Sequence, residues 1–371
     1  MSGHVEEVYL QGIATAVPEN RYSQKFALEK AIELMADTPA KERFLTRVYN
    51  SSAIDTRYSV VGDYKKPPDE RELYPKTEAF RPEPTTSERN QLFSRESGRL
   101  SVLAAQKLFA QFKETTMRGV SHLITVSCTG VGAPGIDLAL IKQLGLSDRV
   151  HRFHLGFMGC YATFPALKMA RDICRSQPDA RVLVVSCELC SLHLQQKFEL
   201  DIQVANALFA DGVGAALISS GTEDSVGPRL RLDSFLSQIV ADSENEMTWT
   251  VGQTGFDMRL STYVPKLLEA NIASVLGSLA ARAHQSIDQI AFWAIHPGGK
   301  AILEKIETAL GLRNDALSNS YEVLREYGNM SSTTILFVLD RILKKSEDGA
   351  VCAAAFGPGL TVEAAWMEKV S

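Results

Sequence analysis

Long apolar runs are missing from this sequence. No stretch approaches the ~18–20 apolar residues a membrane span needs, and segments such as Ile335 to Leu343 read as core helices. Residues 1–20 have neither a cationic start nor an apolar central region, so no secretory signal is expected. Cysteine is sparse: six (128, 160, 174, 187, 190 and 352) are scattered over 371 residues. That is too dispersed for a disulfide framework and points to a reducing, cytoplasmic compartment. Cys187 and Cys190 form a CxxC, but no second ligand pair accompanies it. We read small residues at the end of a buried strand and expect no metal. Basic charge is also in short supply. A formal net charge of −5 offers no diffuse cationic face, which argues against a nucleic-acid partner. It leaves room for a small basic pocket that holds a phosphorylated cofactor.

What is present is ordinary globular material: 45% hydrophobic and 22% charged residues, with 25 Gly and 14 Pro. The chain is long enough for one large core or two closely packed halves. Val5 to Val17 alternates as a first strand should, and helical periodicity follows from Ser23 to Ala36. Residues 62 to 91 are polar and proline-rich, and read as a surface excursion within the domain. A helix resumes near Arg95 and runs to Phe112.

The most informative feature is an internal duplication. Ser121 to Ser127 reads as a buried strand, followed by Cys128, a Gly-rich turn (Gly130 to Gly135) and a helix through Ile136 to Leu144. Gln289 to Ile295 is again a strand, followed by His296, the turn Pro297-Gly298-Gly299 and a helix through Ala301 to Leu310. The match continues: an apolar segment ends at Cys160, opens a helix (Tyr161 to Cys174) and leads to a strand, Arg181 to Ser186. Its counterpart is the turn Tyr327-Gly328-Asn329, a helix from Ser331 to Leu343 and a strand from Ala350 to Ala355. Cys160 lies 32 residues after Cys128, and Asn329 lies 33 after His296. Two βαβ-like halves with polar residues at matching strand-to-helix junctions imply a layered α/β fold with a site where the halves meet.

Three residues carry chemistry. Cys160 follows a glycine at a helix start, where free N–H groups favour thiolate over thiol, the form that captures an acyl group from a thioester. Taken alone, a buried structural cysteine is the common alternative. His296 alone would pass as a satisfied core histidine, and Asn329 as a turn residue ahead of a helix that Ser331 or Ser332 can cap. The duplication sets all three on equivalent edges that can converge.

These residues and their surroundings resemble the type III polyketide synthases, the chalcone-synthase-like members of the thiolase-fold condensing enzymes. The resemblance runs from about Val5 to the C-terminus. It rests on Gly159-Cys160-Tyr161-Ala162, Leu208-Phe209-Ala210-Asp211-Gly212 and Ile295-His296-Pro297-Gly298-Gly299. Glu326 to Ser332 (EYGNMSS) and Phe356 to Glu363 (FGPGLTVE) are the most specific stretches. The resemblance implies a duplicated αβαβα thiolase-like fold, with residues 1–225 carrying the cysteine and 226–371 the histidine and asparagine. It implies that Cys160 takes a starter acyl group from CoA, while His296 and Asn329 hold the malonyl thioester carbonyl so that loss of CO2 leaves a stabilised enolate. His296 would also hold the thiolate as an ion pair. Phe209 matches the gate between CoA tunnel and cavity, and Gly357-Pro358-Gly359 the loop shaping the cavity wall. Acyl-CoA and malonyl-CoA are then substrates, no cofactor or metal is required, and the family is homodimeric.

Departures from the plant members bear on substrate. Trp249 falls where they carry a glycine in the elongation cavity, so an indole closes part of that space; core packing is the alternative reading. The stretch from Gly255 to Ser261, with Met258, looks like bacterial and fungal members. Thr129, Ala133 and Cys190 match positions that line a narrow acyl tunnel in alkylpyrone-forming relatives, and Cys128 and His193 replace plant threonines. Met258 and Ser331 complete the cavity positions. The implied reaction is condensation of malonyl-CoA onto a medium- or long-chain acyl starter, closed to an alkylpyrone or alkylresorcinol. Malonyl-primed synthesis of a small polyhydroxylated aromatic and single-step ketoacyl synthesis are the alternatives, with a non-catalytic acyl-binding scaffold as a third. Arg57 matches a CoA phosphate contact, and Gly298 and Ala301 match contacts to the pantetheine arm. Asp55 stands where plant enzymes have lysine, which leaves a carrier protein open as donor of the starter.

Overall fold

The computed structural model describes residues 6–77, 80–221, 227–313 and 315–371. Its strands, in chain order, are β1 (Val8–Ala16), β2 (Asn20–Ser23), β3 (Thr56–Ser59), β4 (His122–Ser127), β5 (His151–Gly156), β6 (Arg181–Leu189), β7 (Asp211–Ser220), β8 (Arg229–Ile239), β9 (Met247–Gly252), β10 (Gly255–Leu260), β11 (Ile290–Ile295), β12 (Gly349–Gly357) and β13 (Thr361–Val370). Among the described residues, nine of them form one sheet in the order β11-β12-β13-β8-β1-β7-β6-β4-β5.

Outward from β1 and outward from β8 the pattern is the same. β1 pairs antiparallel with β7, β7 antiparallel with β6, and β6 lies parallel to β4. β8 pairs antiparallel with β13, β13 antiparallel with β12, and β12 lies parallel to β11. The repeat read from the sequence is therefore a repeat of sheet topology, and β1 pairs with β8 to join the two copies. The first copy alone continues to an edge strand, β5. In the second copy β11 is the edge strand, and the helix Ser318–Tyr327 stands in chain order where β5 does in the first.

Strand alternation assigns the layers. Val182 and Val184 join a central cluster with Phe164 and Leu167 of the helix Thr163–Ser176 and Leu336 and Leu339 of the helix Thr334–Leu343. Leu183 and Val185 point the other way, onto the helix Thr86–Phe109. In the second copy Ala353 faces the centre, while Cys352 and Ala354 face an outer layer containing Leu268 and Leu276 of the helix Val264–Arg282. Both faces of each half-sheet are covered, which is why these strands are apolar on both sides. The result is the duplicated five-layer α/β/α/β/α arrangement of the thiolase-like fold.

Several boundaries differ from the sequence reading. The helix expected from Arg95 begins at Thr86, behind a capping box made by Thr85 and Glu88. The stretch after residue 62 is anchored, not loose: buried Asp63 accepts hydrogen bonds from the backbone N–H groups of Glu72, Leu73 and Tyr74 (3.0, 2.8 and 2.8 Å). A second N-terminal helix, Pro39–Asn50, was not anticipated. The expected strand start at Val5 and the expected division at residues 225/226 lie outside the described residues. All six cysteines are free thiols. Among the described residues no helix is long and apolar enough to cross a membrane.

Candidate active site

β5 ends at Gly156, and the chain then turns through Phe157 (φ 56°) and Gly159 (φ 85°) to Cys160. Ala162 N–H donates to Gly159 O at 3.0 Å, and the helix opens at Thr163. Glycine is required at 159 twice over: the backbone is left-handed, and a Cβ there would run into the Pro358 ring. A Cβ on Gly357 would lie 2.6 Å from the Tyr161 ring. The loop after β12 therefore presses directly on the nucleophile turn from the opposite copy.

Proximity to the helix start does not by itself ionise Cys160. Burial pushes its thiol up to about 12, the Ser331 side chain pulls it back, and the Glu188 carboxylate raises it further; the Asn329 side chain also lowers it. Burial of the sulfur thus opposes the ionisation that the helix start favours.

Asn329 binds the other parts together. Its Nδ2 donates to Gly298 O (3.2 Å), its Oδ1 accepts from Ser331 N–H (2.8 Å), and its backbone forms a bridge with Phe209. Gly298 lies against His296, whose Cδ2 and Nε2 would be 3.7 Å from a Cβ there. His296 is fully buried, held low at about 3 by desolvation and so neutral, and among the described residues neither ring nitrogen has a hydrogen-bond partner. A buried imidazole with two free nitrogens is costly unless a ligand satisfies it. Cys160, Asn329 and, through Gly298, His296 are thus neighbours, contributed by strand-to-helix junctions of both copies.

Glu188, which sequence reasoning missed, stands behind this group. It is fully buried near the end of β6 and accepts from Cys128 N–H (3.0 Å), Thr129 Oγ1 (2.9 Å) and Ser332 Oγ. Burial raises its carboxyl to about 7. The signal was an acidic residue inside an otherwise apolar strand (RVLVVSCEL).

A small cavity adjoins the thiol. Cys128, Thr129, Gly159, Cys160, Cys190 and Ser331 line one part of it, and Phe209, Met247, Trp249, Met258 and Pro358 the rest. Trp249 is fixed there: its Nε1 donates to Cys128 O (2.7 Å), and its ring meets His193 and Phe256 edge-on. His193 is locked neutral, donating from Nε2 to Thr129 O (2.8 Å) and accepting at Nδ1 from Phe256 N–H (3.0 Å) while stacked on that ring. Burial holds it down at about 3. Ala133, expected to line the acyl tunnel, lies outside this cavity, as do Ala301 and Arg57, which were expected to contact CoA. Ala133 sits in an exposed loop, Ala301 is exposed on the helix Lys300–Leu310, and Arg57 is buried behind Phe209, its Nη1 donating to the carbonyls of Asn206 (2.6 Å) and Phe209 (2.9 Å).

With this geometry in view, comparison with known proteins is consistent along the whole chain. Residues 6–222 match the family described as chalcone and stilbene synthases, N-terminal domain, and 231–371 match the C-terminal domain of the same family. The chain is 32% identical over 361 residues to the alpha-pyrone synthesis polyketide synthase-like Pks18 of Mycobacterium tuberculosis, covering 95% of this chain and 89% of that protein. It is 30% identical over 390 residues to type III polyketide synthase C of Arabidopsis thaliana, covering all of both. The crystal structure of PKS-I from the brown alga Ectocarpus siliculosus superposes with a TM-score of 0.92 at 27% identity, again over the full length of both chains. The chain belongs to the chalcone and stilbene synthase family: it is a type III polyketide synthase, a transferase that works on CoA thioesters by Claisen condensation and needs no cofactor.

Proposed function

We propose that this enzyme condenses malonyl-CoA onto a medium- or long-chain acyl-CoA and releases an alkylpyrone or alkylresorcinol. The observation that carries the reading is the wall around the thiol: Thr129, Cys190, Trp249 and Met258 are neutral, and no charged side chain lines the cavity among the described residues. Trp249 fills space that a long polyketide would occupy, which favours few extensions on an apolar starter. Similarity to a protein named for alpha-pyrone synthesis supports the same product class.

In the proposed cycle His296 takes the proton from Cys160, and the thiolate attacks the acyl-CoA carbonyl, expelling CoA as the leaving thiol. Malonyl-CoA then binds with its thioester carbonyl at His296 and Asn329. Loss of CO2 leaves an enolate whose oxygen those two side chains stabilise. The enolate carbon attacks the acyl–Cys160 carbonyl, the C–S bond breaks, and Cys160 is free for the next acyl group. After two extensions, an enol oxygen of the chain attacks the CoA thioester carbonyl, releasing CoA and a six-membered lactone. Phe209, held by Arg57, gates the approach, and Gly298 and Ala301 flank the pantetheine arm. We also propose a cytoplasmic homodimer of two-half subunits divided near residues 225/226. The exposed edge strand β5 and the loop with Ala133 support pairing there, since Val131, Phe153 and Phe157 are 52%, 41% and 38% exposed.

The test is mass spectrometry of products formed from malonyl-CoA with and without acyl-CoAs of graded length. Alkylpyrones or resorcinols that require a fatty acyl-CoA and vanish in Cys160→Ala are expected. An aromatic product from malonyl-CoA alone would refute the starter assignment. A single condensation without ring closure would refute the product class.

A further inference from the structure

Three of the six free thiols stand at one place. β5, β4 and β6 are neighbours in the sheet and run parallel. Cys160 lies beyond the end of β5, Cys128 follows β4 directly, and Cys190 follows β6 directly. All three border the small cavity. The other three are embedded in the core. Cys174 donates to the carbonyls of Ala180 and Ile218 (3.6 and 3.7 Å), Cys187 donates to that of Ser97 (3.9 Å), and Cys352 packs in the outer layer. The proposed cycle uses Cys160 and gives Cys128 and Cys190 no chemical step.

Of these two, Cys128 is the one set against the nucleophile turn. Its Sγ accepts from Gly159 N–H (3.0 Å) and donates to Gly159 O (3.8 Å), one peptide bond short of Cys160. Its backbone is pinned on both sides, the N–H donating to the Glu188 carboxylate (3.0 Å) and the carbonyl accepting from Trp249 Nε1 (2.7 Å). The side chain is therefore the part free to move. Rotation about its Cα–Cβ bond carries the sulfur past Gly159 toward Cys160 without displacing the chain. Burial and the Glu188 carboxylate push the Cys128 thiol well up, and the Gly159 N–H pulls it back. Oxidation therefore begins at Cys160, the sulfur served by a base, and Cys128 follows.

We propose that Cys128 is a resolving thiol: when hydrogen peroxide oxidises Cys160, Cys128 closes a disulfide with it and shuts the enzyme reversibly. The inference rests on the reading of Cys160 as the nucleophile. The Cys160 thiolate, its proton taken by His296, attacks the peroxide. An S–O bond forms, the O–O bond breaks, and the departing hydroxide takes up that proton as water. The Cys128 sulfur then attacks the sulfenic sulfur. The S–S bond forms, the S–O bond breaks, and hydroxide leaves with the Cys128 proton as a second water. Two thiols and one peroxide give one disulfide and two waters, and the peroxide gains the two electrons that the sulfurs lose. A dithiol reverses the bond by exchange. Without a resolving thiol the sulfenic acid goes on to the irreversible sulfinic acid.

The experiment treats the wild-type enzyme with about one equivalent of hydrogen peroxide, blocks the remaining thiols with iodoacetamide and maps peptides without reduction. The expected result is Cys128 joined to Cys160, an intact mass about 2 Da lower before blocking, and a loss of about tenfold or more in product formation. Dithiothreitol should restore activity to within about twofold of its starting value. Cys128→Ser and Cys190→Ser are then compared, each against its own activity before oxidation. In Cys128→Ser the recovered fraction should fall about fivefold or more, with a gain of about 32 Da on Cys160, whereas Cys190→Ser recovers as wild type does. A Cys160–Cys190 disulfide, full recovery in Cys128→Ser, or a wild-type enzyme that passes directly to the sulfinic acid overturns the proposal. The map of the wild-type enzyme needs no substitution, so it decides even where a serine variant fails to fold. Product formed by Cys160→Ala would refute the nucleophile reading, and with it the shut-off, whether or not the disulfide forms.

Discussion

Replacing Glu188 with Gln tests the electrostatics of the site most directly. The carboxylate is fully buried, raises the Cys160 thiol, and is itself raised by burial from 4.5 to about 7. Glutamine keeps the size and can still accept from Cys128 N–H and Thr129 Oγ1, so the substitution removes charge with little change of shape. Two effects follow. Because the folded-state value lies above the unfolded one, the folded chain holds a proton between pH 4.5 and 7 that the unfolded chain has released. Stability therefore falls as pH rises through that window and levels off above it. A separation of about 2.5 units corresponds to about 3 kcal/mol. In Glu188→Gln that slope disappears, so denaturant unfolding at pH 5 and pH 8 should show the variant gaining about 2.5 kcal/mol on wild type at the higher pH. The second effect is on reactivity. Without the neighbouring negative charge, the midpoint for alkylation of Cys160 by iodoacetamide should move down by about one unit. Parallel stability curves, or an alkylation midpoint that stays put or rises, would refute the account of how Glu188 acts on the thiol.

Two further outcomes are expected. Gly159→Ala should abolish product formation and cost about 1–3 kcal/mol in thermal unfolding, because it adds a Cβ against Pro358 on a left-handed backbone; full activity would show that the turn is not constrained as described. Trp249→Gly removes the indole bonded to Cys128 O and should shift products, read by mass spectrometry, toward one additional malonyl extension. An unchanged product distribution would mean that Trp249 does not limit the cavity.

What the sequence revealed, and what it hid, follows from how each feature is encoded. The duplication was legible because each half repeats strand, polar junction and helix in order. That order fixed the positions of Cys160, His296 and Asn329 on matching edges before any contact was known. The helix start at Thr86 carries its own signal in Thr85 and Glu88, but Pro82 and Pro84 just before it fit a loop equally well, so the boundary is ambiguous in the sequence. Glu188 was hidden for a different reason. A carboxylate in a strand declares nothing about which backbone amides will surround it, and those come from Cys128 and Thr129, some sixty residues upstream. How strongly burial opposes ionisation of the Cys160 thiol is a property of the whole fold, which the local turn does not encode. A larger cavity that shares Cys190, Phe209, Trp249 and Met258 with the thiol cavity was illegible for the same reason: its walls come from the helices Gln24–Met35 and Leu200–Leu208, whose starts lie 176 residues apart and each of which reads as ordinary amphipathic packing.

The pairing of strand topologies across β1 and β8 also has a consequence for tolerance to change. A doubled architecture suggests spare parts, yet the two copies place different groups at equivalent junctions, Cys128 opposite His296 and Cys160 opposite Asn329, and Cys160 meets Asn329, which reaches His296 through Gly298. The repeat supplies symmetry without redundancy. No lesion in one copy can be covered by its twin, because each copy holds only what the other lacks.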